Sequence, residues 1–201
     1  MQGRVVRSIV LAAVVYLASA AAAEAQDRRG FWGSVGGGWG SGLVTCDECG
    51  DEDEREGAGT GFVRLGWGLT DRLLLGAEFN LWSKSFDEDD FIDARANLYN
   101  WTATVSYYPT TTGFFVKGGA GIASADLEVE AAGSDVSIDF GNGLGIIAGV
   151  GYDIPVARRL SITPAVTYWR GHLGDVRLFG TTAIEGWRHN VVELAVGLTF
   201  H

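Results

Sequence analysis

From residue 30 onward the chain alternates apolar residues with polar or small ones at a period of two. Near its end Val192, Leu194, Val196, Leu198 and Phe200 interleave with Glu193, Ala195, Gly197, Thr199 and His201. Successive side chains of a strand point to opposite faces, so this row offers one apolar face and one polar or small one. The pattern recurs in Leu144, Ile146, Ala148, Val150 and Tyr152, and again in Leu160, Ile162, Val166 and Tyr168. Leu73, Leu75, Ala77, Phe79 and Leu81 form a further row, opposed by Gly76, Glu78, Asn80 and Trp82. The alternation predicts strands at 30–42, 58–69, 73–84, 95–108, 114–127, 142–154, 160–172 and 188–200. Roughly ten residues suit a strand that crosses a bilayer at a tilt.

The connections divide into two kinds. Residues 70–72, 109–113 and 155–159 are tight turns, whereas 43–57, 85–94, 128–141 and 173–187 are long. Short and long links that alternate predict an all-β fold: an eight-stranded antiparallel up-and-down transmembrane β-barrel with short periplasmic turns and long extracellular loops. A soluble sandwich has no reason to segregate its loops in this way, and a soluble ligand-binding barrel would have to turn the Leu, Val and Trp rows inward. Aromatic residues fall near the strand ends: Trp32, Trp67, Tyr107, Phe114, Tyr152 and Phe200 on the turn side, and Trp39, Trp82, Trp101, Tyr168 and Trp187 on the loop side. Two such belts mark two membrane interfaces, because amphipathic rings settle at headgroup level.

Charge sharpens the division. The 201 residues carry 25 acidic against 15 basic side chains, a formal charge of −10. Of the acidic residues, only Glu24, Asp27, Asp71, Glu78, Asp153 and Glu193 lie away from the long loops and their flanks. So acidic a chain, without a basic patch in its sequence, is not a nucleic-acid binder. Glycine is abundant, at 30 residues, but without the period of three that collagen needs. Arg4 and Arg7, the apolar run Ile9 to Ala23 and the Ala23-Glu24-Ala25 site read as a cleaved secretory signal over 1–25, leaving 26–201 as the barrel domain. No apolar run after residue 25 is long enough for a transmembrane helix.

On these residues the chain resembles the small OmpA/OmpX-like outer-membrane β-barrels of double-membraned bacteria, over essentially its whole mature length. The sharpest element is the terminal row Val192 to Phe200, which looks like the signal read by the barrel-assembly machinery; the chain departs from it by carrying His201 after the phenylalanine. The resemblance implies outer-membrane lipids and lipopolysaccharide as surroundings, a monomer, no cofactor, and no periplasmic tethering domain. It also implies a non-enzymatic role in the envelope or at the cell surface, structural or adhesive, with at most a narrow gated solute path.

Register carries the reading into the interior. If Val63, Leu65, Trp67 and Leu69 face lipid, Arg64, Gly66 and Gly68 face inward, and a three-residue turn centred on Asp71 sets Arg64 opposite Glu78. Lys117 and Glu193 fall on the inward faces of their own strands. Buried charge is costly unless paired, and these four residues form a set that can neutralise itself. The set resembles the ion-pair gate of the OmpA barrel, and both a static plug and a switchable passage fit it. Gly36, Gly38, Gly66, Gly119, Gly121, Gly145 and Gly149 also face inward, leaving room either for water or for close approach of Trp32, Phe115 or Trp169.

Other chemistry is sparse. Cys46 and Cys49, spaced C-x-x-C in an exported chain, predict a disulfide that pinches the first long loop. The acids around them would raise a thiol pKa, which argues against redox catalysis. Asp51 to Glu54 and Asp87 to Asp90 lack the spacing of an EF-hand, so divalent cations are expected there only as loose bridges to anionic headgroups. The enzymatic alternative is a lipid A deacylase or acyltransferase at the extracellular rim, using His172, His189, Asp175 and Glu185. It lacks the His-x-Ser arrangement of the deacylases, since Leu173-Gly174 follows His172.

Overall fold

The structure is a computed structural model that describes residues 28–47, 54–89, 92–131, 134–178 and 181–201. The expected signal segment 1–25 lies outside the described residues. The strands are β1 (Gly30–Thr45), β2 (Glu56–Thr70), β3 (Leu73–Asp89), β4 (Ile92–Tyr107), β5 (Phe114–Ala131), β6 (Ser134–Tyr152), β7 (Ile154–Ala157), β8 (Leu160–Leu178) and β9 (Thr181–Phe200). β7 is a four-residue continuation of β6 along β8, resumed after a break at Asp153. The other eight strands pair antiparallel in sequence, and the β1–β9 and β6–β8 pairings close the cylinder. Closure leaves no strand edge to recruit another chain.

Inward and outward residues alternate along every wall. Val63, Leu65, Trp67 and Leu69 are exposed on the outside while Arg64 is buried, and Arg64 pairs with Glu78 in the β2–β3 register. The expected outer belts need a correction: Trp32 and Trp82 are each only 4% exposed and point into the barrel. Both are even-numbered on strands whose odd-numbered residues face out, so the pleat overrides their position near a strand end. Trp187, also assigned to a belt, is half-buried against the inner cluster and stacks on Phe140, with ring centres 4.6 Å apart.

The strands run further on the loop side than the alternation predicts. β3 reaches Asp89 rather than 84, β6 begins at Ser134 rather than 142, and β9 begins at Thr181 rather than 188. Beyond the membrane both faces of a hairpin meet water, so the alternation of hydrophobicity ends while the ladder of backbone hydrogen bonds continues. One extension carries a bulge. Gly141 adopts a positive φ of 92°, its N–H donates to Asp139 Oδ1 at 2.7 Å, and the β5–β6 register slips between Ser124 and Asp126. Such a bulge re-aims side chains, and Phe140 packs against the inner cluster beside it.

The inward glycines accept bulky neighbours. A Cβ on Gly36 would lie 2.6 Å from Phe62 Cζ, and one on Gly149 would lie 2.8 Å from Lys117 Cε. Close approach, one of the two uses the sequence leaves open, therefore accounts for these positions. An eight-stranded barrel is narrow enough for side chains to fill.

Candidate functional site

The interior is built in three layers. Nearest the tight turns, Trp32, Leu74, Tyr108 and Phe115 form an apolar floor. Toward the loops, Ala58, Trp82, Leu98, Ala125, Ile147, Trp169 and Val191 form a second apolar layer. Trp82 is fixed there by donating from Nε1 to the Gly40 carbonyl at 3.1 Å.

Between them lies the charged layer. Glu78 Oε1 accepts from Lys117 Nζ at 2.5 Å and from Asn80 Nδ2 at 3.0 Å. Arg64 Nε stands 3.2 Å from Glu78 Oε2, an ion pair by distance that is out of line for a hydrogen bond. Its guanidinium carbon also sits 4.0 Å above the Phe62 ring. Glu193 is buried in the field of Lys117 and Arg64, with the Thr60 hydroxyl beside its carboxylate. The arrangement thus brings Arg64, Glu78 and Lys117 into contact, with Glu193 close by. To open an axial path, both apolar layers would have to move and two buried ion pairs would have to break.

A second buried cluster sits at the tight-turn end, at residues outside the site that the sequence predicts. Asp153 Oδ2 accepts from Tyr108 Oη at 2.7 Å, and Oδ1 accepts from Thr163 Oγ1 at 2.7 Å. His201 Nε2 is 3.1 Å from Asp153 Oδ2, and the Arg28 guanidinium carbon lies 4.1 Å over the Tyr108 ring. Burial pushes the Asp153 carboxyl up, but His201, Thr163 and Tyr108 together hold it below its ordinary value. Burial, and then the Asp153 charge, push the Tyr108 phenol well above its own. The residue by which the terminal row departs from its family is therefore docked inside the barrel end. Parity is the signal that could have found it, since odd residues of β9 face inward.

The rim residues proposed for catalysis are not brought together. His172 pairs across strands with Arg188, and Gly171 pairs with His189, so the two histidines lie on opposite faces of the sheet. His172 is exposed on the outer wall, whereas His189 is fully buried and neither of its ring nitrogens has a hydrogen-bond partner among the described residues. Asp175 is engaged locally, its Oδ1 accepting from the Gly186 N–H at 3.3 Å. Among the described residues no group of His, Cys, Asp or Glu is arranged to hold a metal ion. Asp51 to Asp53 and the side chains of Asp87 to Asp90 lie outside the described residues, and so does Cys49. Cys46, just past β1, is not a free thiol.

The loop-side mouth holds a recess of about 160 Å³, lined by Trp82, Phe86, Phe140 and Trp187 with Glu54 and Glu56 at its rim. Lys84 makes an ion pair with Glu56 there and lies 5.1 Å from the centre of the Phe86 ring.

The protein family described as "Outer membrane protein beta-barrel domain" matches residues 10–200. No curated protein matches the chain. Among solved structures, Ail, the attachment invasion locus protein of Yersinia pestis, in complex with the heparin analogue sucrose octasulfate, is similar with a TM-score of 0.57 and 14% identity, over 85% of this chain and 99% of that one. Neisserial surface protein A is similar with a TM-score of 0.54 and 16% identity, over 85% of this chain and 96% of that one. The outer membrane protease OmpT from Escherichia coli superposes more loosely, with a TM-score of 0.40 and 10% identity, over 86% of this chain and 97% of that one.

Proposed function

We propose, for a chain that belongs to the outer-membrane protein β-barrel family and resides in the bacterial outer membrane, a non-enzymatic role performed outside the lumen. The barrel is a closed anchor that presents hairpins at the cell surface, serving envelope structure or adhesion. One observation carries this reading: the charged layer of Arg64, Glu78 and Lys117 is shut between two apolar layers. The β3–β4 and β5–β6 hairpins extend past the apolar rows as polar and acidic strand pairs. A rigid ladder holds such side chains away from the membrane at less entropic cost than a floppy loop would.

The test uses the hairpin of β3 and β4, cut back so that Ser85 and Arg95, which pair across the strands, are joined by an Asn-Gly turn. Cells lacking the protein should lose surface attachment in a flow chamber, and the trimmed barrel should fold without restoring it. Lipid A should have the same mass profile with and without the protein. Deacylated or further acylated lipid A that depends on the chain would overturn the reading in favour of the lipid-modifying alternative, and full restoration by the trimmed barrel would overturn the role of the hairpin.

A further inference from the structure

The outer wall distributes its charge unevenly. On β6, β8, β9 and β1, one outward rung is Val150, Val166, Leu194 and Trp39, all of them exposed. The next rung toward the loops is Ala148, Tyr168, Val192 and Ser41. Above it the chemistry changes: Ile146 is followed around the wall by Arg170, Asn190 and Leu43, and then Leu144 by His172, Arg188 and Thr45. Each rung is about 7 Å further along the strand. Arg55, just before β2, reaches the same patch and donates from both terminal nitrogens to Asn190 Oδ1 at 2.9 Å.

Three arginines and a histidine therefore meet just beyond the apolar belt. Among the described residues their one carboxylate contact is from Asp47, whose Oδ1 is 3.4 Å from Arg188 Nη2 with both side chains about half exposed. Arg170 and His172, both exposed, make no ion pair with any described residue. Elsewhere the wall does the opposite. On β3, β4 and β5 the rung beyond Leu81 and Tyr99 is Ser83, Asn97 and Asp126, joined by hydrogen bonds of 2.7 and 3.0 Å. Among the described residues only Asp47 balances this patch, so at this height it can take up an anion from outside.

We infer that Arg55, Arg170, His172 and Arg188 form a binding site for a phosphate group of an outer-leaflet glycolipid, with an acyl chain lying along Ile146, Leu144, Tyr168 and Val192. The inference rests on the outer-membrane reading and names the lipid contact within it. Guanidinium forks fit phosphate oxygens in pairs, and Asn190 pre-orients one of them. The exposed Leu144 and Ile146 beside Arg170 supply the apolar half of the same ligand. Cationic side chains just outside the hydrocarbon layer are where anionic headgroups lie.

The test is binding of fluorescent bisphosphorylated lipid A to the refolded mature protein in zwitterionic nanodiscs. The wild type should prefer it over the monophosphorylated form. Arg170→Ala and Arg188→Ala should each weaken binding roughly five-fold and the double variant roughly thirty-fold, the scale of one basic side chain at an anionic surface. Arg170→Lys should restore only part of the affinity, because an ammonium lacks the fork. Arg95→Ala, on the far wall, should change nothing. Equal binding by the double variant, or indifference to the number of phosphates, overturns the inference, as does competition by millimolar inorganic phosphate, which would make this a free-phosphate site. Failure of the wild type to insert into bilayers would instead overturn the outer-membrane reading, so the two failures are distinguishable.

Discussion

Arg64 on β2 and Arg170 on β8 belong to one closed wall and face opposite ways. Arg64 is buried, lies against Glu78 and rests on the Phe62 ring. Arg170 is exposed among lipid-facing neighbours and pairs with no anion among the described residues. The difference teaches how to read charge in this fold. Inside, burial is tolerable only because each cation has a carboxylate, so the charges serve closure. Outside, solvent and headgroups can supply the counter-charge, so an unpaired cation marks a contact with something else.

The sharpest way to break the contrast is to unpair the interior. Glu78→Ala leaves Lys117 and Arg64 without a carboxylate in contact, and should destabilise the barrel by about 3–5 kcal/mol in urea titrations followed by tryptophan fluorescence. If the loss is negligible, the interior charges are hydrated and the closed-lumen account fails. Filling a glycine tests the same packing from another side: Gly36→Val drives a side chain into Phe62 and should cost about 1–3 kcal/mol by the same titration.

Asp153 should show itself in the pH dependence. Its pKa is depressed in the fold, so its contribution is complete above the ordinary aspartate range and is lost as pH falls through the lowered value. Asp153→Asn should therefore flatten the acid limb of unfolding below about pH 4 and leave the neutral region parallel to the wild type. The smallest expected effect belongs to the outer wall. Arg170→Ala should change stability by less than about 0.5 kcal/mol, since no ion pair with a described residue is lost; a change as large as that of Glu78→Ala would erase the distinction between the two sites.

Much of the barrel is legible in the alternation, because period two with one lipid-facing side fixes register tightly. The turn at Asp71 sets Arg64 opposite Glu78 by this logic alone, and the β2–β3 ladder has that pairing. The outer strand ends are not legible, because hydrophobicity stops alternating where both faces are wet. Trp32 and Trp82 show a different lapse: nearness to a strand end suggests a belt, but parity decides the face. The same parity separates His172 from His189, which sequence distance alone leaves as candidates for one rim site. The Asp153 cluster follows the same parity, since Asp153 comes after outward Tyr152, but alternation names only the face and not the partners that Tyr108, Thr163 and His201 bring from three other parts of the chain.

The central claim is that the interior is a plug. The measurement that meets it most directly is planar-bilayer conductance of the refolded mature protein, recorded beside Glu78→Ala barrels whose folding is verified by heat-modifiable migration. The account predicts no unitary steps from the wild-type barrel. Reproducible steps from the wild type that change in size or frequency with Glu78→Ala would contradict it, and would make the charged layer a gate.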